Sequence, residues 1–158
     1  MYPSLSQFPS VRKTLFALTL PFAASGVALA AADNCTSHYS SVIESTSNIE
    51  VSKGHSIAYW TARQANTSDN SVYTGVGMCN GYAISTPDGK VTMSGACALK
   101  NKDGDSWSYI WGMEPGAERG WWKVTAGTGA LAALNSGWWQ PTMSDGKTSI
   151  GISGGTCK

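Results

Sequence analysis

From residue 55 onward the chain repeats one pattern, in which short segments of alternating hydrophobic and polar residues lie between clusters of turn-forming residues. In the clearest segment, Trp107, Tyr109 and Trp111 share one face of a strand and the residues between them share the other. The strongest turn signals have the form Asp-Gly, at residues 87–90, 102–105 and 144–147. The pattern predicts strands at residues 55–63, 72–84, 91–100, 107–111, 121–126, 138–143 and 148–152.

Helical periodicity is nearly absent from the same region. The best helical segment, residues 40–47, is short and rich in Ser and Thr, which favour caps and turns. Glycine occurs inside several predicted strands, where it marks a bend or a bulge. We therefore predict an all-β fold, a small antiparallel barrel of about eight strands, with a β-sandwich as the alternative.

The N-terminal segment has the features of a secretory signal peptide. Arg12 and Lys13 precede an apolar run, and residues 28–30 supply an A-x-A cleavage site. A membrane anchor is the alternative, but Pro21 and Gly26 interrupt the run. We predict a signal peptide at residues 1–30 with cleavage between 30 and 33, and a single domain at residues 31–158 that is secreted or periplasmic and has no membrane span after cleavage.

The charge of the chain argues against polyanionic partners. Eleven Lys and Arg residues balance ten Asp and Glu residues, and the basic residues are scattered along the sequence. A nucleic acid or an anionic membrane surface would require a basic cluster. Neither is expected as a partner.

Four cysteines, Cys35, Cys79, Cys97 and Cys157, follow the predicted cleavage site. An even number in an exported chain predicts two disulfides, for which three connectivities exist. Cys79 and Cys97 lie at equal distances from Asp88, so a hairpin at that turn would pair them and leave Cys35 to pair with Cys157. A metal site is disfavoured because no C-x-x-C occurs and His55 is distant from the cysteines.

One segment matches the G-x-G-x-x-A pattern of dinucleotide-binding loops, at residues 127–132. That motif requires a following crossover helix and a later acidic residue, and the apolar stretch here is too short for such a helix. We predict that the glycines bend the backbone, and no cofactor is expected.

The stretch from Trp122 to Trp138, together with the cysteine-bearing hairpin and the Lys-Asp-Gly-Asp turn before an aromatic strand, resembles secreted bacterial proteins related to the allene oxide cyclase and dirigent barrels. The likeness covers roughly residues 72–158. Relatives carry the form G-G-T-G-K-F-A-G, in which Ala126 and Ala133 here replace two glycines. The resemblance implies an eight-stranded, lipocalin-like barrel with an internal cavity, and it places no catalytic residue on this chain.

Acid/base candidates are few. His55, Tyr109 and Glu114 are the candidates for a cyclase or isomerase, since no nucleophile or metalloprotease motif occurs. Asp103 and Asp105 could begin a calcium loop, but its further ligands are absent, which favours a hairpin turn.

Seven tryptophans are the most informative residues of this short chain. They could fill the core, line a pocket, or form an outer contact through Trp138 and Trp139. We predict that Trp107, Tyr109, Trp111 and Trp122 bind a small hydrophobic or aromatic ligand inside the barrel. The alternatives are an enzyme that uses the same cavity and an envelope or interaction protein with a filled core; a homo-oligomer is also left open.

Overall fold

The computed structural model describes residues 33–157 and, of residues 33, 34 and 157, the backbone alone. The predicted signal peptide at residues 1–30 lies outside these residues, so its cleavage stays a prediction. None of the described helices is both long and apolar enough to cross a membrane.

Eight antiparallel strands form one closed barrel in which each strand pairs with the next and β1 pairs with β8. This confirms the predicted all-β fold and excludes the sandwich. The strands are β1 (Asp33–Ser52), β2 (His55–Ser68), β3 (Gly75–Ser85), β4 (Val91–Asn101), β5 (Ser106–Met113), β6 (Gly120–Gly127), β7 (Ser136–Ser144) and β8 (Thr148–Cys157).

The longest strand, β1, was not predicted from the sequence. It has 20 residues and includes residues 40–47, the segment that had the best helical signal. It pairs with β2 on one side and with β8 on the other, and a bulge lies between Ile43 and Ser45. Several of its inward positions are serines, including Ser37 and Ser41, so the hydrophobic alternation that identifies a strand is weak.

Two short 3-10 helices close one end of the barrel. The first, Ser71–Tyr73, joins β2 to β3, and the second, Gly129–Ala133, joins β6 to β7. Residues 72 and 73 are therefore not part of a strand, contrary to the prediction, because the side chain of Asn70 caps this helix by accepting a hydrogen bond from the Val72 N–H. The second helix has five residues, so no crossover helix follows the glycine-rich segment.

The closed end contains the tightest hydrophobic packing of the described residues. Leu131 and Leu99 are fully buried, and Tyr73 and Trp107 pack with them. The turn between β4 and β5 lies at the same end, where the side-chain oxygen of buried Asn101 accepts hydrogen bonds from two backbone N–H groups, at 3.0 and 2.9 Å. The predicted Lys-Asp-Gly-Asp hairpin turn is thus present.

Glycines in the strands provide room for aromatic rings along the inner wall. A methyl group at Gly81 would lie 2.7 Å from the ring of Trp60 and 2.8 Å from that of Trp111, and one at Gly151 would lie 2.6 Å from the Tyr39 ring and hydroxyl. The interior of an eight-stranded barrel is barely wide enough for its side chains. Rings that cover glycines of neighbouring strands extend less far toward the barrel axis, which leaves space at the centre.

The disulfide between Cys79 and Cys97 is confirmed. The two residues are directly opposite each other in the β3–β4 hairpin, with Cα atoms 4.1 Å apart. For the second predicted pair, the β1–β8 register sets Cys157 opposite Asp33 and Cys35 opposite Gly155. Because only the backbone of Cys157 is described, the bond between Cys35 and Cys157 stays a prediction.

Candidate functional site

A cavity of about 380 Å³ occupies the barrel interior. All four residues predicted to bind a ligand, Trp107, Tyr109, Trp111 and Trp122, contribute to its lining. The remaining lining side chains are mainly aromatic residues, serines and the disulfide. They include Tyr39, Ser41, Trp60, Gln64, Asn66, Tyr73, Cys79, Met93, Cys97, Trp139, Ser149 and Ser153.

A chain of aromatic contacts runs around the cavity wall. Trp111 packs edge-on against Trp139 at 5.7 Å between ring centroids and contacts Trp60 at 6.1 Å. Tyr39 meets Trp139 edge-on at 6.3 Å. Sequence reasoning missed the positions of Trp60, Trp139 and Tyr39. A signal existed for Trp60, because Trp60, Ala62 and Gln64 alternate along β2 and all face inward.

The two tryptophans of β5 have different environments. Trp107 is 5% exposed and belongs to the hydrophobic core at the closed end, whereas Trp111 is less buried and covers Gly81 and Gly95 at the cavity wall. Trp107 therefore mainly fills the hydrophobic core, whereas Trp111 mainly lines the cavity.

Trp138 and Trp139, for which an outer contact was one alternative, lie on opposite faces of β7. Trp138 lies outside, where the guanidinium of Arg119 sits 4.4 Å from its ring centroid. Trp139 lies inside and lines the cavity. The alternative in which both residues form an outer contact therefore does not hold for Trp139, because adjacent residues of a strand point to opposite faces.

A polar network crosses the interior between β2 and β5. The Nε2 atom of Gln64 donates to the Tyr109 hydroxyl at 2.7 Å and to the Asn66 Oδ1 atom at 2.8 Å. Burial raises the pKa of Tyr109 well above its usual value, and the hydrogen bonds from Gln64 and Asn66 only partly offset this effect. Tyr109 therefore stays protonated at neutral pH and fixes the position of Gln64 beside the disulfide.

The predicted acid/base candidates are not brought together. Tyr109 lines the cavity, but neither His55, the first residue of β2, nor Glu114, which is exposed in the β5–β6 loop, is among the lining residues. Among the lining residues that the structure describes there is no Asp, Glu, Lys, Arg or His. The described part of the chain also holds no group of three or more His, Cys, Asp or Glu side chains arranged to bind a metal ion.

Serines from β1 and β8 form the side of the cavity that faces β4 and β5. Ser37 is opposite Ser153, and their hydroxyl oxygens are 3.3 Å apart. Ser41 is opposite Ser149 in the same register. The cavity is thus aromatic over much of its wall and lined by hydroxyl groups on one side.

No family model, curated protein or solved structure matches this chain significantly.

Proposed function

We propose that this chain is a secreted or periplasmic barrel protein that binds one small, neutral, apolar or aromatic molecule in its interior. The main support for this proposal is the cavity of about 380 Å³ that remains between the aromatic rings of the wall. Ligand sites of small molecules are commonly clefts of roughly 300–1,000 Å³ lined by apolar and aromatic side chains with a few polar groups. An envelope protein with a filled core would have no reason to maintain this space.

The lining favours a neutral ligand. A charged group that enters a cavity loses its hydration, and this loss is costly unless an opposite charge compensates it. The described lining residues include no charged side chain that could do so. Aromatic faces such as those of Trp111 and Trp139 offer a large apolar contact area instead.

The enzyme alternative receives less support than binding. General acid/base catalysis at neutral pH requires a group whose pKa is near 7. Tyr39 and Tyr109 are ionisable residues of the lining, and burial raises the pKa of both. Neither can act as a general base at neutral pH without a partner that lowers its pKa.

The proposal also includes export from the cytoplasm and a relationship to a known family of barrels. The Cys79–Cys97 disulfide supports an oxidising compartment, as expected if residues 1–30 direct export. The closed eight-stranded antiparallel barrel with an internal cavity supports kinship with the allene oxide cyclase and dirigent barrels.

The test compares two glycine substitutions of matched geometry. In Gly81→Ala the new methyl group lies 2.7 and 2.8 Å from the rings of Trp60 and Trp111, which must move into the cavity. In Gly112→Ala it lies 2.7 Å from Trp121, an outward residue that is 42% exposed and can move into solvent. We expect Gly81→Ala to weaken binding of a neutral naphthalene derivative about tenfold, within the usual cost of overpacking, and Gly112→Ala to leave binding unchanged.

Binding is measured by equilibrium dialysis, with thermal unfolding as the check that both variants fold. Absence of saturable binding to the wild-type protein would refute the proposal. Equal losses in the two folded variants would show that binding does not occur in the interior.

A further inference from the structure

Three hydroxyl groups converge on one part of the cavity wall, those of Tyr39, Ser41 and Ser149, here called the hydroxyl cluster. Ser41 and Ser149 are directly opposite each other across the β1–β8 pairing. Tyr39 lies two residues before Ser41 on the same face of β1, and its hydroxyl covers Gly151 of β8. All three residues line the cavity.

The hydroxyl cluster has unused hydrogen-bonding capacity. The Tyr39 hydroxyl is buried and forms no hydrogen bond of ordinary geometry with the described residues. A neighbouring hydroxyl, that of Ser149, approaches it and partly offsets the increase that burial causes in the pKa of Tyr39. Apart from this approach, the described residues offer the hydroxyls of Ser41 and Ser149 no hydrogen bond. The next serine pair on the same strands differs, because Ser37 and Ser153 bond to each other.

Hydroxyl chemistry indicates what the hydroxyl cluster can accept. If the Tyr39 hydroxyl donates a hydrogen bond to the oxygen of Ser149, the hydroxyl hydrogen of Ser149 is free to point into the cavity. Ser41 supplies a second free hydroxyl hydrogen beside it. A carbonyl oxygen has two lone pairs and can accept both. A hydrogen bond of this kind contributes about 0.5–1.5 kcal/mol, so a ligand oxygen that accepts from Ser41 and Ser149 gains affinity.

We propose that the hydroxyl cluster binds the carbonyl oxygen of a neutral aromatic ligand whose ring system lies against Trp139 and Trp111. The edge-on contact between Tyr39 and Trp139 places this aromatic wall next to the hydroxyl cluster. An anionic carboxylate is disfavoured because no cationic side chain occurs among the described lining residues. This inference rests on the proposed function and adds the chemical class of the ligand.

The experiment uses two neutral probes of the same shape, acetylnaphthalene and isopropenylnaphthalene substituted at the same ring position. They differ in one group, because a methylene replaces the carbonyl oxygen. We expect the wild-type mature protein to bind the ketone about tenfold more tightly, the preference that one pair of well-placed hydrogen bonds supplies. The carbonyl stretching band of the bound ketone should also shift to lower frequency, a readout that affinity alone does not provide.

Two variants and a control separate the contribution of the hydroxyl cluster to binding from that of the rest of the cavity. Ser41→Ala combined with Ser149→Ala should abolish both the preference and the infrared shift while binding of the hydrocarbon is retained. Tyr39→Phe should reduce the preference in part, since Tyr39 acts through Ser149. The matched control is Ser40→Ala, because Ser40 is adjacent to Ser41 on β1, points to the opposite face and does not line the cavity.

The outcomes separate this inference from the proposed function. Equal binding of the two probes by the wild-type protein, or a preference that survives the double substitution, would overturn the carbonyl inference and leave the binding proposal intact. Failure of both probes to bind would overturn both proposals.

Discussion

Replacing each tryptophan of β5 by alanine should separate the hydrophobic core from the cavity wall. Trp107 is 5% exposed and packs with Leu99 and Leu131 at the closed end. Trp111 rests with one side on Gly81 and Gly95, while the rest of its ring borders the cavity. The same substitution on the same face of one strand therefore removes more packing at Trp107 than at Trp111.

The expected magnitudes follow from the area that each ring buries. A buried tryptophan removes roughly 200 Å² from water, which at about 25 cal/mol per Å² is about 5 kcal/mol. Nearly all of this area counts for Trp107, so Trp107→Ala should lower the free energy of unfolding by about 3–5 kcal/mol, the usual range for such core changes. Trp111 is intermediate in exposure and borders the existing cavity, so less of its area counts and Trp111→Ala should cost about 1 kcal/mol less than Trp107→Ala.

The assay is urea unfolding followed by far-ultraviolet circular dichroism, because tryptophan substitutions would alter a fluorescence signal directly. Trp121→Ala is the control on the outer surface, where the side chain is 42% exposed, and we expect it to cost less than either inner substitution. Equal losses for Trp107→Ala and Trp111→Ala would refute the reasoning, because both rings would then belong to one filled core.

Three further predictions concern the disulfide, the closed end and the response to alkaline pH. Replacing Cys79 and Cys97 together by serine should lower the free energy of unfolding by about 3 kcal/mol, since the bond closes a loop with a sequence separation of 18; a loss below about 1 kcal/mol in denaturant titrations would contradict this. Asn101→Ala should lower the free energy of unfolding by about 2–3 kcal/mol in the same titrations, because it leaves two backbone N–H groups without their acceptor. No measurable loss would show that water replaces the side-chain oxygen of Asn101. Burial raises the pKa of Tyr109 in the folded protein, so this tyrosine contributes stability below the usual tyrosine pKa of about 10 and loses that contribution as the pH rises above it. Stability measured from pH 9 upward should fall less steeply in Tyr109→Phe than in the wild-type protein, and identical slopes would exclude this cause.

Local chemistry made much of the fold predictable from the sequence. The three Asp-Gly turns are hairpin turns in the structure, and their glycines Gly89, Gly104 and Gly146 have positive φ angles of 80, 88 and 82°. Glycine favours this backbone conformation because it lacks a Cβ atom. The position of the first turn midway between Cys79 and Cys97 was sufficient to predict their disulfide, since a hairpin fixes which residues oppose each other.

The candidate site was only partly predictable. The alternation within β5 indicated that Trp107, Tyr109 and Trp111 share a face, but it did not show that this face is the inner one. Either member of the neighbouring pairs Trp121–Trp122 and Trp138–Trp139 could face inward under a period of two, so the choice of Trp122 as a ligand-binding residue did not follow from the pattern. The register decides: Trp122 and Trp139 line the cavity, and their neighbours lie outside.

The sequence by itself determined the strand segments after residue 55, the turns between them and one disulfide, because each depends on residues that are close along the chain. The tertiary structure decided the barrel closure, the division of the tryptophans between core and cavity, and the hydroxyl cluster. Tyr39 and Ser41 lie near the start of the described chain and Ser149 near its end, and they meet because β1 pairs with β8. A largely polar inner face weakens the hydrophobic alternation in β1, so the strand that completes the site becomes recognisable only when the barrel closes around it.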